Sequence, residues 1–436
     1  MISVKEAKSI INQKIFRLGS EIVQLNNSTQ RLLSEDIIAK FPSPHFNNSA
    51  MDGFAVRSLD TIGASKENPV TLKNIGISSA GIPSNLVLNK GECIQCMTGA
   101  KIPSGSDAVV IVEDTTGFSD NPNVKIMIEA LPESHIRKKG EEIQKGDILI
   151  NKGTLMKPSE IGICATFGYG ELKVSKKPKI AIFGTGNELV EPGKNIKEGE
   201  IYNSNLYVFS DLVEKIGGSV LMKDVLKDDK EHLESFLSEA MESCDLVISS
   251  GGVSMGRFDY VRDVFLDLGV EEHFWKVAQK PGKPLFFGTG DKTLIFGLPG
   301  NPVSSYIGFM VWVWPVLNEM MGGNRIKSFK AELTEPFPLE KIKYRYLFGK
   351  AWVEDGKVRC KPSKKSGSHM LTSSLNANCI LGSEPSGRQL NSGDLIDINL
   401  LPWETMKPIY DETGFPGNPN INVLSPVPKK SGLPGF

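Results

Sequence analysis

The chain has 436 residues, too many for one ordinary hydrophobic core, and at about 150 residues per domain roughly three units are expected. Lys+Arg 50 against Asp+Glu 51 leave a net charge of -1, and 40% of the residues are hydrophobic. That balance is globular and excludes any overall pull toward nucleic acid or a membrane surface.

The amino-terminal segment is amphipathic and carries Lys5, Lys8, Lys14 and Arg17, without a continuous apolar run of the signal-peptide kind. The longest apolar run, 306–317, is broken by Gly308 and Pro315 and falls short of the ~20 residues a bilayer crossing needs. A cytoplasmic location is expected. The six cysteines are too sparse for a disulfide scaffold. Cys93 and Cys96 form a C-x-x-C but lack a second pair at zinc spacing, and Cys164, Cys244, Cys360 and Cys379 stand alone, so buried or half-buried thiols are expected.

In chain order, the amino-terminal stretch reads as a helix with Ile10, Ile11, Phe16 and Leu18 among its apolar positions, then a short strand near 36–39. Between 68 and 128, short β-type runs such as ECIQCM and DAVVIVED alternate with Gly, Pro and Asn clusters, the pattern of an all-β insertion. Pro158 opens a helix with Ser159 in its first turn. From Pro178 the pattern becomes strand, glycine turn, helix, and repeats. Strands are expected at 179–183, 246–250 and 293–296, with one helix starting near Asp259 and another opened by Pro302. This is a doubly wound α/β domain, in which ligands lie beyond the carboxyl ends of the strands. After Gly322 and Gly323 another β-rich stretch reads as a small sandwich or barrel. The expected division is a discontinuous amino-terminal and linker domain (1–45 and 146–177), a β-rich insertion (46–145), the α/β domain (178–323), a carboxy-terminal β domain (324–404) and an extended or disordered Pro/Gly-rich tail (405–436).

The chemistry-bearing turns come in the same order. In SAMDGFA, Asp52 beside a glycine reads either as an ordinary turn carboxylate or as a metal-binding or hydrogen-bonding one. Thr98 and Gly99 in MTGA make a tight hydroxyl-bearing turn. GTGNEL follows a buried-type strand, so Gly184, Thr185 and Gly186 lead to Glu188 at the sheet edge, where a carboxylate suits magnesium, a ribose hydroxyl or a metal-bridged phosphate. The full dinucleotide fingerprint is absent from it. SGGVSMG places Ser250, Gly251, Gly252, Ser254 and Gly256 at a helix entrance, a backbone nest for an anion, and Asp259 beyond it is an N-cap or a metal carboxylate. KPGKP sets Lys280 and Lys283 around a turn, either a solvated surface bend or a seat for a doubly charged oxyanion. LPGNPVSS, with Pro299, Gly300, Asn301 and Pro302, brings Ser304 into a first helical turn, which favours an anion. No Ser-His-Asp or thiol nucleophile set is evident, and the five histidines lie outside these loops. GSHM at 367–370 looks like an expression-tag remnant, but its mid-chain position makes it native sequence.

Taken together, SAMDGFA, MTGAKIPSGSDAVV, KKGEEIQKGD, GTGNELV, SSGGVSMGRFDYV, KPGKPLFFG and GLPGNPVSS resemble, in this order and spacing, the molybdopterin molybdenumtransferase (MoeA) family and the homologous E domain of gephyrin-type proteins. The resemblance implies an elongated homodimer of four-domain subunits. Its activity would be magnesium-assisted insertion of molybdenum from molybdate into adenylylated molybdopterin, with release of AMP. By motif position it implies catalytic roles for Asp52, Thr98, Glu142, Glu188, Asp228 and Asp259, with Glu188 and Asp259 also holding Mg2+. Lys280, Lys283, Ser304 and Arg345 would meet molybdate, and the glycine- and proline-rich turns would hold the pterin. Departures from the family pattern are Glu142 where Asp is usual, Asn187 for Asp, Phe54 for Tyr, and Lys350 where a second Arg is typical. Other cofactor-biosynthesis proteins and apo-molybdoenzymes are the implied protein partners. A scaffold protein on the same fold and a pterin-nucleotide pyrophosphohydrolase that inserts no metal are the alternative activities.

Overall fold

The computed structural model of the chain describes residues 1–227, 230–252, 260–338 and 340–402. They form two compact units, one built from 1–21, 30–32 and the chain from 174 onward, the other from 22–29 and 33–173. The carboxy-terminal tail expected at 405–436 lies outside the described residues.

The first unit begins with the helix Val4–Lys14, started by Ser3, whose Oγ accepts the Glu6 N–H at 3.1 Å. Val4, Ala7 and Ile11 recur at helical spacing and are its buried face. The helix is shorter than the apolar pattern suggests. Ile15 takes an extended conformation, Leu18 N–H donates to the Met320 carbonyl at 2.8 Å, and Phe16 and Leu18 pack on the core outside the helix. A tertiary hydrogen bond replaces the helical one there.

The central sheet of this unit has six strands in the order Ser219–Leu226, Lys179–Thr185, Leu246–Ser250, Leu294–Leu298, Pro284–Thr289 and Glu271–Lys276. The first four run parallel, and the last two are antiparallel. Leu246–Ser250 and Leu294–Leu298 are buried throughout, as a parallel sheet covered on both faces requires. One apolar cluster with Ile180, Ile182 and Phe296 and another with Ala181, Phe183 and Ile295 cover its two faces. The three expected strand-turn-helix repeats are present, while the edge strand Ser219–Leu226 and the antiparallel pair were not read. Because Gly184 pairs with Ser250 and Ser250 with Leu298, the carboxyl ends of three strands meet at one edge.

The carboxy-terminal β region is a closed barrel of five strands, not a sandwich. Tyr344–Glu354 pairs with both Lys357–Pro362 and Cys379–Ser383, and Phe329–Leu333 and Leu395–Leu400 complete the circuit. A two-residue strand, Gln279–Lys280, adds to Tyr344–Glu354 in parallel, setting Lys280 opposite Arg345.

The second unit holds a five-stranded sheet in the order Ala108–Ile111, Gly53–Val56, Glu92–Cys96, Val70–Ser78 and Asn123–Ile126, the β-rich character expected there. The helix Pro158–Thr166 begins where Pro158 announced it, with Glu160 accepting the Lys157 N–H at 3.1 Å. All six cysteines are free and buried. Cys93 and Cys96, three apart on one strand, face opposite sides and belong to different apolar clusters. Burial pushes their thiols up to about 12 and about 11, so both are neutral packing groups at pH 7.

Candidate active site

At the carboxyl edge of the parallel sheet lies a cavity of about 980 Å³ whose walls carry Gly184, Thr185, Glu188, Ser250, Gly251, the Pro299–Pro302 turn and Ser304. Strand pairing alone places the first two turns there, since the strands bearing them end in register. Gly186 has φ +145, and Cβ added to it would lie 2.5 Å from a Glu188 carboxylate oxygen, so a glycine is what lets that carboxylate fold back against the turn. Gly186 and Gly252 support the wall and do not line it. Asp228, Ser254, Gly256 and Asp259 lie outside the described residues.

No motif pointed to Asn205, the first residue of the helix Asn205–Lys215. Its Nδ2 donates to Ser250 Oγ and to the Gly300 carbonyl, both at 2.7 Å, joining two of the turns. The segment Ser366–His369, which overlaps the tag-like run, is also part of the wall. His369 lies outside the motif loops, as expected of every histidine, and reaches the wall from this separate segment. The Ser368 carbonyl accepts the Val303 N–H at 3.0 Å, so one donor of the helix Pro302–Gly308, expected to face an anion, is already used.

The positive charge comes from the barrel segment bearing Lys343 and Arg345 and from the turn 280–283 that precedes Pro284–Thr289. Among the described residues, Lys280, Lys283, Lys343 and Arg345 line the cavity against the one carboxylate of Glu188. Strand addition puts Lys280 beside Arg345, and Lys280 Nζ also lies 3.2 Å from a Glu340 oxygen. Arg345 is buried, and among the described residues its Nε has no hydrogen-bond partner. Burial draws its pKa below the ordinary value while Glu340 opposes the shift; a guanidinium stays charged all the same.

Asp52, Thr98 and Glu142 belong to the second unit and are not among the cavity's lining residues. Asp52 Oδ1 accepts the Thr98 N–H and Oγ–H, both at 2.7 Å, and these two bonds, the backbone one first, hold its carboxyl below the usual value. A depressed carboxyl contributes stability above its unfolded pKa and loses it as pH falls through the folded one, so the benefit disappears below the ordinary 3.8. Thr98→Val removes one of the two donors. The Asp52 pKa is expected to rise toward 3.8, read by NMR titration of the carboxyl; an unmoved value would show that the hydroxyl bond is absent in solution. Glu142 accepts a hydrogen bond from Ser43 Oγ at 2.9 Å.

Models of three regions match the chain in order: the MoeA N-terminal region (domain I and II) over residues 2–168, a probable molybdopterin binding domain over 181–319, and the MoeA C-terminal region (domain IV) over 330–401. The molybdopterin molybdenumtransferase of Staphylococcus aureus is 35% identical over 402 residues, covering 92% of this chain and 95% of that protein. The chain belongs to the MoeA family. The enzyme of the same name from Staphylococcus epidermidis is 36% identical over 404 residues at the same coverage. A crystal structure of the molybdopterin biosynthesis MoeA protein from Pyrococcus horikoshii superposes with a TM-score of 0.78 at 31% identity, covering 92% of this chain and 99% of that one. The family match spans both units, so the cation-lined cavity belongs to a chain that is MoeA-like almost throughout.

Proposed function

We propose that the chain is a molybdopterin molybdenumtransferase, inserting molybdenum from molybdate into adenylylated molybdopterin with release of AMP. The observation that carries this reading, beside the family, is the cavity itself: its wall carries Lys280, Lys283, Lys343 and Arg345 against Glu188, the charge balance required by a substrate bearing phosphates and by a doubly charged oxyanion. Its volume of about 980 Å³ is at the upper end of ligand pockets and suits a nucleotide-linked pterin.

The residues divide the work by position. The Gly184–Thr185, Ser250–Gly251 and Pro299–Pro302 turns hold the pterin nucleotide at the strand ends, with Asn205 bracing two of them. Lys280, Lys283 and Arg345 neutralise molybdate next to it. Glu188, with the Thr185 and Ser250 hydroxyls on the same wall, is the kind of all-oxygen donor set that fits magnesium, which keeps several waters and takes one or two carboxylates plus substrate phosphates. Among the described residues no group of three His, Cys, Asp or Glu is placed to hold a metal. Bound there, the ion would supply Lewis-acid stabilisation of charge on the phosphate. The catalytic roles of Asp52, Thr98, Glu142, Asp228 and Asp259, a homodimeric assembly, a cytoplasmic location and delivery to apo-molybdoenzymes are part of the same proposal and rest on the motif resemblance.

Incubation of purified protein with adenylylated molybdopterin, magnesium and molybdate tests the reading. The expected result is AMP release coupled to cofactor that reconstitutes a molybdoenzyme. AMP without active cofactor would make the chain a pyrophosphohydrolase, and no turnover would make it a scaffold on this fold. Lys283 forms no salt bridge among the described residues, whereas Lys280 is shared with Glu340. Lys283→Ala is therefore expected to raise the half-saturating molybdate concentration by about tenfold, the size of one charge-assisted contact, and to leave that for the pterin nearly unchanged. Equal shifts for both substrates would remove Lys283 from the oxyanion site.

A further inference from the structure

Behind the lysine turn the helical run 302–320 is not uniform. It is α-helical over Pro302–Gly308, opens into a π turn over Phe309–Val313, and returns to α over Trp314–Met320. The wide turn is closed by the Trp314 N–H donating to the Phe309 carbonyl, five residues back. Its cause is in the sequence. Pro315 has no N–H, and in a regular helix its ring would collide with the carbonyl four residues earlier, at Val311. One widened turn relieves that clash, and π turns of this kind collect at functional sites.

The consequence falls on Trp312. An extra residue in the turn rotates side chains by about 100° relative to a regular helix. Trp312 is buried, and a buried indole N–H needs an acceptor. It finds Gln279 Oε1 at 3.0 Å. Gln279 is itself buried, and its Nε2 donates to the Gly282 carbonyl at 2.7 Å, in the middle of the turn that carries Lys280 and Lys283. Trp312 is not on the active-cavity wall, so it cannot touch substrate there.

We infer that the π turn, Trp312 and Gln279 form a positioning relay that fixes the spacing of the Lys280 and Lys283 ammonium groups, and so sets the enzyme's affinity for a compact tetrahedral oxyanion. The inference deepens the function proposed above and rests on it. Trp312 is a positioning residue that acts on molybdate only through the lysine turn, whereas Gln279, itself on the cavity wall, anchors that turn and borders the cavity.

Two readouts test it. In the transferase assay, Trp312→Phe and Gln279→Leu should each raise the half-saturating molybdate concentration by about fivefold, the equivalent of one net hydrogen bond, with that for adenylylated pterin unchanged within about twofold. The double variant should be no worse than the more affected single one, because links of one chain are not additive. Hydrogen exchange of the peptide covering 279–284 should accelerate in both single variants, a readout independent of any activity. Additive effects, equal shifts for both substrates, or unaltered exchange would each overturn the relay. If the wild-type chain shows no molybdate dependence, the functional reading fails while the exchange measurement still decides whether the relay holds the turn. Should Trp312→Phe fail to fold, Pro315→Ala keeps both relay side chains and removes the cause of the wide turn; it should give the same faster exchange and the same selective loss of molybdate affinity, and wild-type behaviour would refute the relay.

Discussion

Glu188→Gln is expected to lower AMP release by about 10²-fold or more, since electrostatic stabilisation by a single placed group at a reacting phosphate is worth that much. The substitution keeps the size of the side chain and removes its charge. Among the described residues the carboxylate makes no hydrogen bond or ion pair, and Glu188 is held through its backbone carbonyl, which accepts the Ile201 N–H at 2.8 Å. Single-turnover measurement of AMP from adenylylated molybdopterin is the check. Normal release from a folded variant would take Glu188 out of the catalytic set.

The second large effect is on stability. Gly53 sits between two partner strands, paired with Cys96 on one side and Ile111 on the other. Cβ added there would stand 1.9 Å from the Val110 carbonyl oxygen and 2.9 Å from its carbon. The obstacle is backbone, which no side-chain rotation can move away, so Gly53→Ala must part the strands and lose ladder hydrogen bonds, at a cost of about 3 kcal/mol. Denaturant unfolding of the variant measures this. The same strain is transmitted to the adjacent Asp52, so its carboxyl should lose the two Thr98 bonds and return toward the ordinary pKa. A variant as stable as the wild type would show that these strands lie farther apart in solution.

How much was legible follows from how local each signal is. The strands 179–183 and 246–250 could be read because a strand buried on both faces is a continuous apolar run, and their glycine turns punctuate it. Ser219–Leu226 was missed because it is an edge strand with Lys223 and Asp224 in it and mixed exposure. The amino-terminal helix was read too long because Phe16 and Leu18 continue the apolar pattern while packing as extended chain. The turns that line the cavity were legible as motifs. Asn205, Lys343 and His369 were not, because each is a lone polar residue with no local pattern, brought to the cavity only by packing.

The family, the parallel α/β core and the order of the turns are written in the chain, since they depend on apolar periodicity, glycine and proline at fixed offsets, and chain direction, all of which are local. Closure of the β-rich carboxy-terminal stretch into a barrel, and the uptake of Gln279–Lys280 by its strand Tyr344–Glu354, emerge only on folding. Such pairings join residues far apart in the chain, and backbone hydrogen bonding carries no signature of which distant strand will be the partner. That pairing sets Lys280 opposite Arg345, and it is how a cation cluster scattered through the sequence becomes one wall of a cavity.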